Sequence, residues 1–190
     1  MRFFRIGRNP FWGDFGGILQ NGFVIESEPT YLISRTGPFV PPVSFPIGAM
    51  VLSDSYRHVF TSSQLFACNI QPVRYMKIVD LRWETWDLNG PLPSRFTSGP
   101  EDVILKGNHS RDCLRLTEKS WSVVDIPRTC TSTSTLDDDG WKFTLDASDW
   151  NGSHLFRSNN QNFIFVSDVG RNFFQQNSEQ WMDFSECAVY

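Results

Sequence analysis

The chain of 190 residues lacks a long hydrophobic run, a cluster of basic residues and any closely spaced pair of cysteines. No stretch approaches the roughly 20 apolar residues that cross a bilayer, so no membrane partner is expected. The net charge is −4 and no basic stripe is present, which argues against a nucleic-acid partner. Because the four cysteines are scattered, a zinc ribbon and a thioredoxin-like motif are excluded, and reduced, buried thiols are expected.

The sequence also lacks the motifs of common enzyme families. It contains no GxSxG elbow, no HExxH, no phosphate-binding loop and no dinucleotide fingerprint. A triad of His109, Ser110 and Asp112 can be written down, but neighbours in sequence rarely point at one substrate. We therefore expect no catalytic residue, no metal and no cofactor, and a protein that is not an enzyme. Since the first residues include no continuous apolar stretch of the signal-peptide type, the cytoplasm is the predicted location.

Aromatic residues, in contrast, are abundant. The chain has 17 Phe and 7 Trp, which predicts a core or an interface built on rings. The 11 Pro and 13 Gly favour many turns and few long helices. Gly13, Gly16 and Gly17 follow no convincing strand and open no recognisable helix, so we interpret them as turn glycines.

One pattern occurs twice. Residues 51–60 read VLSDSYRHVF and residues 165–174 read FVSDVGRNFF. Each copy has two apolar residues before Ser-Asp, an Arg three positions after the Asp, and a Phe three positions after the Arg. Ser and Asp oxygens accept hydrogen bonds from the free N–H groups of a helix start, so each copy predicts a strand that enters a capped helix.

The predicted fold class is therefore α+β, a strand-rich mixed sheet with a few short helices. Two related strand–helix–strand units are expected to share one core. We predict helices over 55–66 and 168–176. The first is followed by one long strand or two short strands over 68–83, and the second by a strand over 181–189. Residues 1–190 are interpreted as a single domain, with possible related halves 1–87 and 100–190 joined by the 88–99 loop.

Four tryptophans are candidates for binding. Trp83 and Trp86 lie three residues apart among charged residues at the end of a strand-like run. Core packing at the junction of the two units is one interpretation, and an aromatic anchor for a protein or a sugar ring is the other. Trp141 and Trp150 leave the same two alternatives open.

Asp137, Asp138 and Asp139 form the strongest charge run, inside the polar tract 129–140, which we predict to be a mobile or projecting loop. Oxygen ligands suit calcium or magnesium, but the spacing of a helix–loop–helix calcium site is missing. The alternatives are an acidic prong that meets a basic surface and a solvated turn.

The repeated pattern resembles the immunity proteins of bacterial polymorphic-toxin systems. The matching text is Leu155-Phe156-Arg157, then Phe165-Val166-Ser167-Asp168 and a helix to Phe174; residues 51–60 and the Trp83/Trp86 pair add to the likeness. The resemblance covers residues 45–87 and 154–190. It implies a cytoplasmic protein that binds a cognate toxin and blocks its active site.

The interface residues that we predict for such a role are Trp83, Trp86 and Asp137 to Asp139, whereas Arg57 and Arg171 are expected to hold the repeated helices. Three alternatives stay open at this point. They are another protein-binding module, a carbohydrate-binding module that uses exposed Trp residues, and an enzyme whose site is assembled from the distant carboxylates of Asp146, Asp149, Asp168 and Glu179.

Overall fold

The computed structural model describes residues 1–9, 11–27, 30–47, 49–94, 96, 98–117, 120–138 and 140–190. Over these residues the chain forms twelve strands and five helices. The helices are α1 (Gly13–Asn21), α2 (Asp54–Ser62), α3 (Pro100–Lys106), α4 (Arg111–Leu116) and α5 (Asp168–Ser178). The strands are β1 (Phe3–Arg8), β2 (Phe23–Ser27), β3 (Thr30–Gly37), β4 (Val43–Ser44), β5 (Val51–Ser53), β6 (Asn69–Asp80), β7 (Trp121–Asp125), β8 (Thr131–Asp137), β9 (Gly140–Asp146), β10 (Leu155–Arg157), β11 (Ile164–Ser167) and β12 (Met182–Val189).

The strands form two six-stranded sheets, with orders β4-β5-β7-β6-β3-β2 and β10-β11-β1-β12-β9-β8. Both sheets are mixed, because β3 runs parallel to β6 and β12 runs parallel to β9, whereas the other described pairings are antiparallel. The α+β class with short helices is thus confirmed. Of the two alternatives for residues 68–83, the structure has one long strand, β6, and it lies inside its sheet as its two apolar faces indicate.

The two sheets are built in the same way. Each contains a strand that leads into a helix and then into a further strand, β5-α2-β6 in one and β11-α5-β12 in the other. Position by position along the two sheet orders, equivalent neighbours pair in the same sense: the hairpins β2–β3 and β8–β9 are antiparallel, and β6 and β12 each lie parallel to a hairpin strand. The two related strand–helix–strand units are confirmed.

The chain divides into two compact units that are discontinuous in sequence. One comprises residues 1–7, 59–69 and 125–190, and the other comprises residues 8–58 and 70–124. The first strand of each predicted half therefore belongs to the sheet of the other half, since β1 lies beside β11 and β7 lies beside β5. The description of 1–190 as one domain with halves 1–87 and 100–190 stays a prediction.

Each unit contains a cluster of buried apolar residues. In the unit that comprises residues 1–7, 59–69 and 125–190, four buried rings pack with Leu145, Cys130 and Cys187. These rings are those of Phe3, Phe143, Phe156 and Phe165. In the other unit, the core cluster is Ile33, Ala49, Val51, Val73, Trp121 and Val123. The abundance of aromatic residues thus supplies the first of these cores, as the composition predicts.

The repeated Ser-Asp pattern caps both helices. Ser53 Oγ accepts a hydrogen bond from the Tyr56 N–H at 3.2 Å, and Ser167 Oγ accepts one from the Gly170 N–H at 3.3 Å. These bonds satisfy one of the N–H groups that a helix start leaves without an intrahelical partner. The side-chain hydroxyls, each within an apolar strand end, explain why the helices begin where they do.

The two arginines of the pattern act by different contacts. Arg57 Nη2 lies 2.6 Å from Asp54 Oδ1 within α2. The guanidinium of Arg171 lies 4.4 Å from the ring centroid of Phe4 in β1, a cation–π contact that ties α5 to the sheet of its own unit.

Removing either cap hydroxyl is expected to cost stability. Ser53→Ala and Ser167→Ala should each lower the free energy of unfolding by about 1 kcal/mol, because each leaves a helix-start N–H without its acceptor. Urea unfolding followed by circular dichroism measures this. Gln176→Ala, at an exposed position of α5, is the control and should change stability by less than about 0.5 kcal/mol. Equal stability of the cap variants and the control would contradict the capping role.

Three local predictions are wrong in detail. The tract 129–140 is not a loop, because residues 131–137 form β8 and pair along their whole length with β9. Helix α2 ends at Ser62 rather than at residue 66, and Gln64 follows in the left-handed region with φ 54°. The glycines 13, 16 and 17 lie in α1 and are not turn glycines.

Gly16 and Gly17 of α1 lie in close contact with the segment that precedes the helix. A Cβ at Gly16 would lie 1.9 Å from the carbonyl oxygen of Phe11, and one at Gly17 would lie 2.1 Å from the Arg8 side chain. The helix therefore approaches the segment before it more closely than any other residue type permits.

Candidate functional site

The hairpin of β8 and β9 is the strongest candidate for a binding site. Its strands pair from Thr131–Asp146 to Asp137–Gly140, whereas the neighbouring β12 pairs with β9 over Phe143–Leu145. In the described register, the pairing of β12 with β9 thus stops at Phe143, whereas β8 and β9 stay paired to the end of the hairpin.

An apolar face continues from the core to this end of the hairpin. Side chains at alternate strand positions share a face, so Leu145, Phe143 and Trp141 of β9 lie on one side of the sheet. Leu145 and Phe143 are buried in the core cluster, but Trp141 is 55% exposed. Its cross-strand partner Leu136 is 65% exposed. Apolar surface of this kind, beyond the limit of the core, is typical of an interaction site.

Acidic residues adjoin this apolar pair. Asp137 and Asp138 are both exposed at the end of the hairpin, directly after Leu136. Asp139, the third member of the predicted acidic prong, lies outside the described residues. The structure thus brings two of the predicted carboxylates together with an exposed Trp and an exposed Leu, a combination of anchor and charge.

Trp83 lies in a different environment. It begins a short 3-10 helix, Trp83–Thr85, and is only 2% exposed. Its ring meets that of Phe39 edge to face with a centroid distance of 5.7 Å. A partner cannot reach this ring in the structure described, so its burial supports the interpretation as core packing over that as an anchor.

Trp86 is half-buried in a cluster of four rings. Its ring centroid lies 5.5 Å from those of both Trp12 and Phe96, and Phe15 packs on Phe96 at 5.5 Å. The Trp12 indole N–H donates to the Gly90 carbonyl at 3.0 Å. The rings are tilted against one another, and their mutual contacts cover ring surface that a partner would otherwise contact. The role of Trp86 in partner binding stays a prediction.

Trp150 is also half-buried. Its ring meets Phe3 edge to face at 5.3 Å, and its indole N–H donates to the Ser153 carbonyl at 2.9 Å. Of the four candidate tryptophans, Trp141 is therefore the most exposed, although the sequence pattern does not separate it from the others.

A groove of about 360 Å³ lies near the end of β3. Apolar side chains form most of its lining, with Arg82 as the charged group among the lining residues: Pro38, Phe39, Val40, Arg82, Leu116, Thr117 and Trp121. The Thr117 hydroxyl is already engaged with the Pro38 and Cys113 carbonyls, at 3.0 and 2.9 Å. This volume is at the lower end of the range for ligand sites, and the described lining contains one charged side chain.

The residues of the hypothetical triad serve the local structure. His109 Nδ1 accepts a hydrogen bond from the Ile78 N–H at 3.2 Å, and Ser110 Oγ caps α4 by accepting from the Cys113 N–H at 3.1 Å. Asp112 forms an ion pair with Arg115 at 3.0 Å. Each side chain is thus engaged with its own surroundings rather than with the other two.

The cysteines are free, and three of them are buried. Burial raises the pKa of Cys68, Cys113 and Cys187 to about 11. Burial also raises the pKa of Cys130. Since the thiolate is the reactive form, these groups are poorly suited to nucleophilic attack or metal binding at neutral pH. Over the described residues no group of three or more His, Cys, Asp or Glu side chains is placed to hold a metal ion.

Leu136 is the member of the hairpin site that was not predicted from the sequence. Leu136 follows a run of Thr and Ser and precedes the acidic residues, so it carries no periodic signal of its own. The alternation of Trp141, Phe143 and Leu145 predicts β9 and one shared face, and it is the one signal that pointed to an apolar strip. It does not reveal that the core ends before Trp141.

Comparisons with known proteins give no family for the chain. No protein-family model matches it, and no curated protein matches it in sequence. In the part of the chain that is described, no helix combines the length and the apolar character needed to cross a membrane.

Proposed function

We propose that the protein is an immunity protein, which binds a cognate bacterial toxin in the cytoplasm and blocks its active site. The observation that carries the proposal is the exposed Leu136–Trp141 pair at the end of β8 and β9, beside Asp137 and Asp138. This hairpin takes the place of Trp83 as the proposed anchor. The resemblance of residues 45–87 and 154–190 to immunity proteins supports the same class.

The chemistry of the hairpin suits inhibition by docking. Binding energy at protein interfaces concentrates in a few central residues, among which Trp is enriched, and surrounding groups exclude water. Carboxylates beside such an anchor speed association with a basic surface and select against acidic ones. A toxin whose active-site cleft is basic and contains an apolar recess would accept both parts of the hairpin end.

The test is a growth assay with the toxin domains encoded beside the gene of this protein. Each domain is expressed in bacteria with the wild-type chain or with Trp141→Ala. The wild type is expected to restore growth against one of them. Trp141→Ala should raise the Kd for that toxin at least about 30-fold, which corresponds to the roughly 2 kcal/mol of a binding hot spot.

Tyr190→Ala is the matched control, because Tyr190 is an exposed aromatic residue of the same unit that lies outside the hairpin. It should bind like the wild type. Failure of the wild-type chain to bind or to neutralise any of these toxins would refute the proposal, and binding of glycans on an array would then favour the carbohydrate-binding alternative. Equal binding by the two variants would remove the hairpin from the interface.

A further inference from the structure

We infer that the outer edge of β8 binds an extended, cationic segment of the protein partner as an additional β-strand, next to Ser134 and Leu136. The inference rests on the proposed function, because it describes how the same hairpin engages its toxin. In addition to the side-chain anchor of Leu136 and Trp141, the hairpin would then bind the partner through main-chain hydrogen bonds.

The hydrogen-bonding direction along β8 follows from Ser132. Its N–H donates to Asn160 Oδ1 and its carbonyl accepts from Asn160 Nδ2, both at 3.0 Å, so both groups point away from β9. Main-chain groups alternate in direction along an antiparallel strand. Those of Ser134 and Leu136 therefore point outward as well, whereas Thr133 and Thr135 bond to β9.

The partner strand β9 agrees with this alternation. Leu145 lies opposite Ser132, and its carbonyl accepts from the Tyr190 N–H at 3.2 Å, on the side away from β8. Leu136 and Trp141 are thus a pair without hydrogen bonds between them, the type in which opposite side chains lie closest.

Among the described residues, a partner for the outer edge of β8 is found at Ser132 only. β8 is the last strand of its sheet. At Ser132, the side-chain amide of Asn160 forms the two main-chain hydrogen bonds that a further strand would form. For Ser134 and Leu136, the described residues supply no partner to the outward N–H and C=O groups. Two open donors and two open acceptors in line form a template for strand addition, the mode by which many domains bind extended peptides.

The charge of the surroundings selects the occupant. Asp137 and Asp138 follow the open positions directly, and the whole chain carries a net charge of −4. A second copy of the chain would bring the same net charge and the same acidic hairpin end. A strand with Lys or Arg near the carboxylates and an apolar side chain beside Leu136 and Trp141 complements both features.

Ser134→Pro tests the strand addition. Pro removes the outward N–H and leaves the bonds of Thr133 and Thr135 to β9 intact, as edge positions tolerate. Ser134→Ala is the matched control, since it removes the hydroxyl but retains the N–H. The probe is the toxin against which the wild-type chain restores growth. Ser134→Pro should raise the Kd for this toxin at least about tenfold, and Ser134→Ala should raise it less than about twofold.

Hydrogen exchange of the wild-type chain checks the same claim without a substitution. The amides of Ser134 and Leu136 should become protected when the toxin binds. Strand addition would be overturned if the toxin binds, these amides stay unprotected and the two Ser134 variants have the same Kd. The proposed function would then still stand.

If no toxin is bound, the proposed function fails, and a synthetic peptide decides the present inference. The probe is an acetylated, amidated peptide of alternating Val and Lys, and the control peptide has Glu in place of Lys. Shifts of the Ser134 and Leu136 amide resonances with the Lys peptide only would support a cationic strand. No shift at millimolar peptide would overturn it.

Discussion

Trp83→Ala is expected to lower the free energy of unfolding by about 3–5 kcal/mol, the range for truncation of a large buried ring. Trp83 is 2% exposed and meets Phe39 edge to face at 5.7 Å. Removal of the indole leaves a cavity in a region where the backbone is fixed by the hydrogen bonds of the 3-10 turn, such as Trp86 N–H to the Trp83 carbonyl at 3.0 Å. The surroundings can therefore relax only in part.

Urea unfolding monitored by far-ultraviolet circular dichroism measures this loss independently of tryptophan fluorescence. Trp141→Ala is the matched control, and it should cost less than about 1 kcal/mol, because an exposed cross-strand pair contributes little. The two variants should thus behave in opposite ways, one losing stability and the other losing partner affinity. A small effect of Trp83→Ala on unfolding together with a large effect on toxin binding would restore Trp83 as the anchor.

The sequence predicts those features that depend on one short segment of the chain. The Ser-Asp pattern predicts the starts of α2 and α5 because capping is local: the acceptor and the N–H lie three residues apart. The same holds for β6, whose alternation and length are properties of one segment. Features that depend on a single element were predicted well.

Features that depend on distant segments were not. Residues 131–137 read TSTSTLD, a polar tract that has no hydrophobic period, and they become a strand because β9 pairs with them. The β-branched Thr residues fit that pairing, but nothing in the tract specifies its partner. Similarly, Gly16 of α1 is explained by the approach of the Phe11 carbonyl, which only the folded chain provides.

The candidate site shares this limit. The carboxylates 137–139 and the tryptophans were identifiable as residue types that bind partners, but which tryptophan is exposed depends on where each core ends. Leu136 could not be identified as a site residue, because a single Leu in a polar run gives no hydrophobic periodicity. The exposed pair lies beyond the paired part of β12, and where that pairing stops is a property of the whole sheet.

Arg35→Ala is expected to lower the free energy of unfolding by about 2–4 kcal/mol, since a buried carbonyl would lose its charged donor and a cavity would remain. Arg35 is 0% exposed, and its Nη2 donates to the Gln20 carbonyl at 2.6 Å. Burial lowers its pKa to about 10. The guanidinium is therefore still charged at neutral pH.

The reason that this buried cation stabilises the fold lies at the end of α1. A helix leaves its last four carbonyls without intrahelical partners, and two of those at the end of α1 accept from side chains of β3. The Thr36 hydroxyl donates to the Leu19 carbonyl at 2.6 Å, and Arg35 Nη2 donates to the Gln20 carbonyl at 2.6 Å. A cation at this end also faces the negative pole of the helix.

Arg35→Met separates the hydrogen bond from the volume. Met fills most of the space and removes the cost of burying a charge, but it leaves the Gln20 carbonyl without its donor, at about 1–3 kcal/mol. We expect Arg35→Met to be less stable than the wild type and more stable than Arg35→Ala in urea unfolding. Replacement of a buried charge by an apolar residue is often neutral or stabilising, and a Met variant as stable as the wild type would show that the Arg35 cation does not stabilise α1.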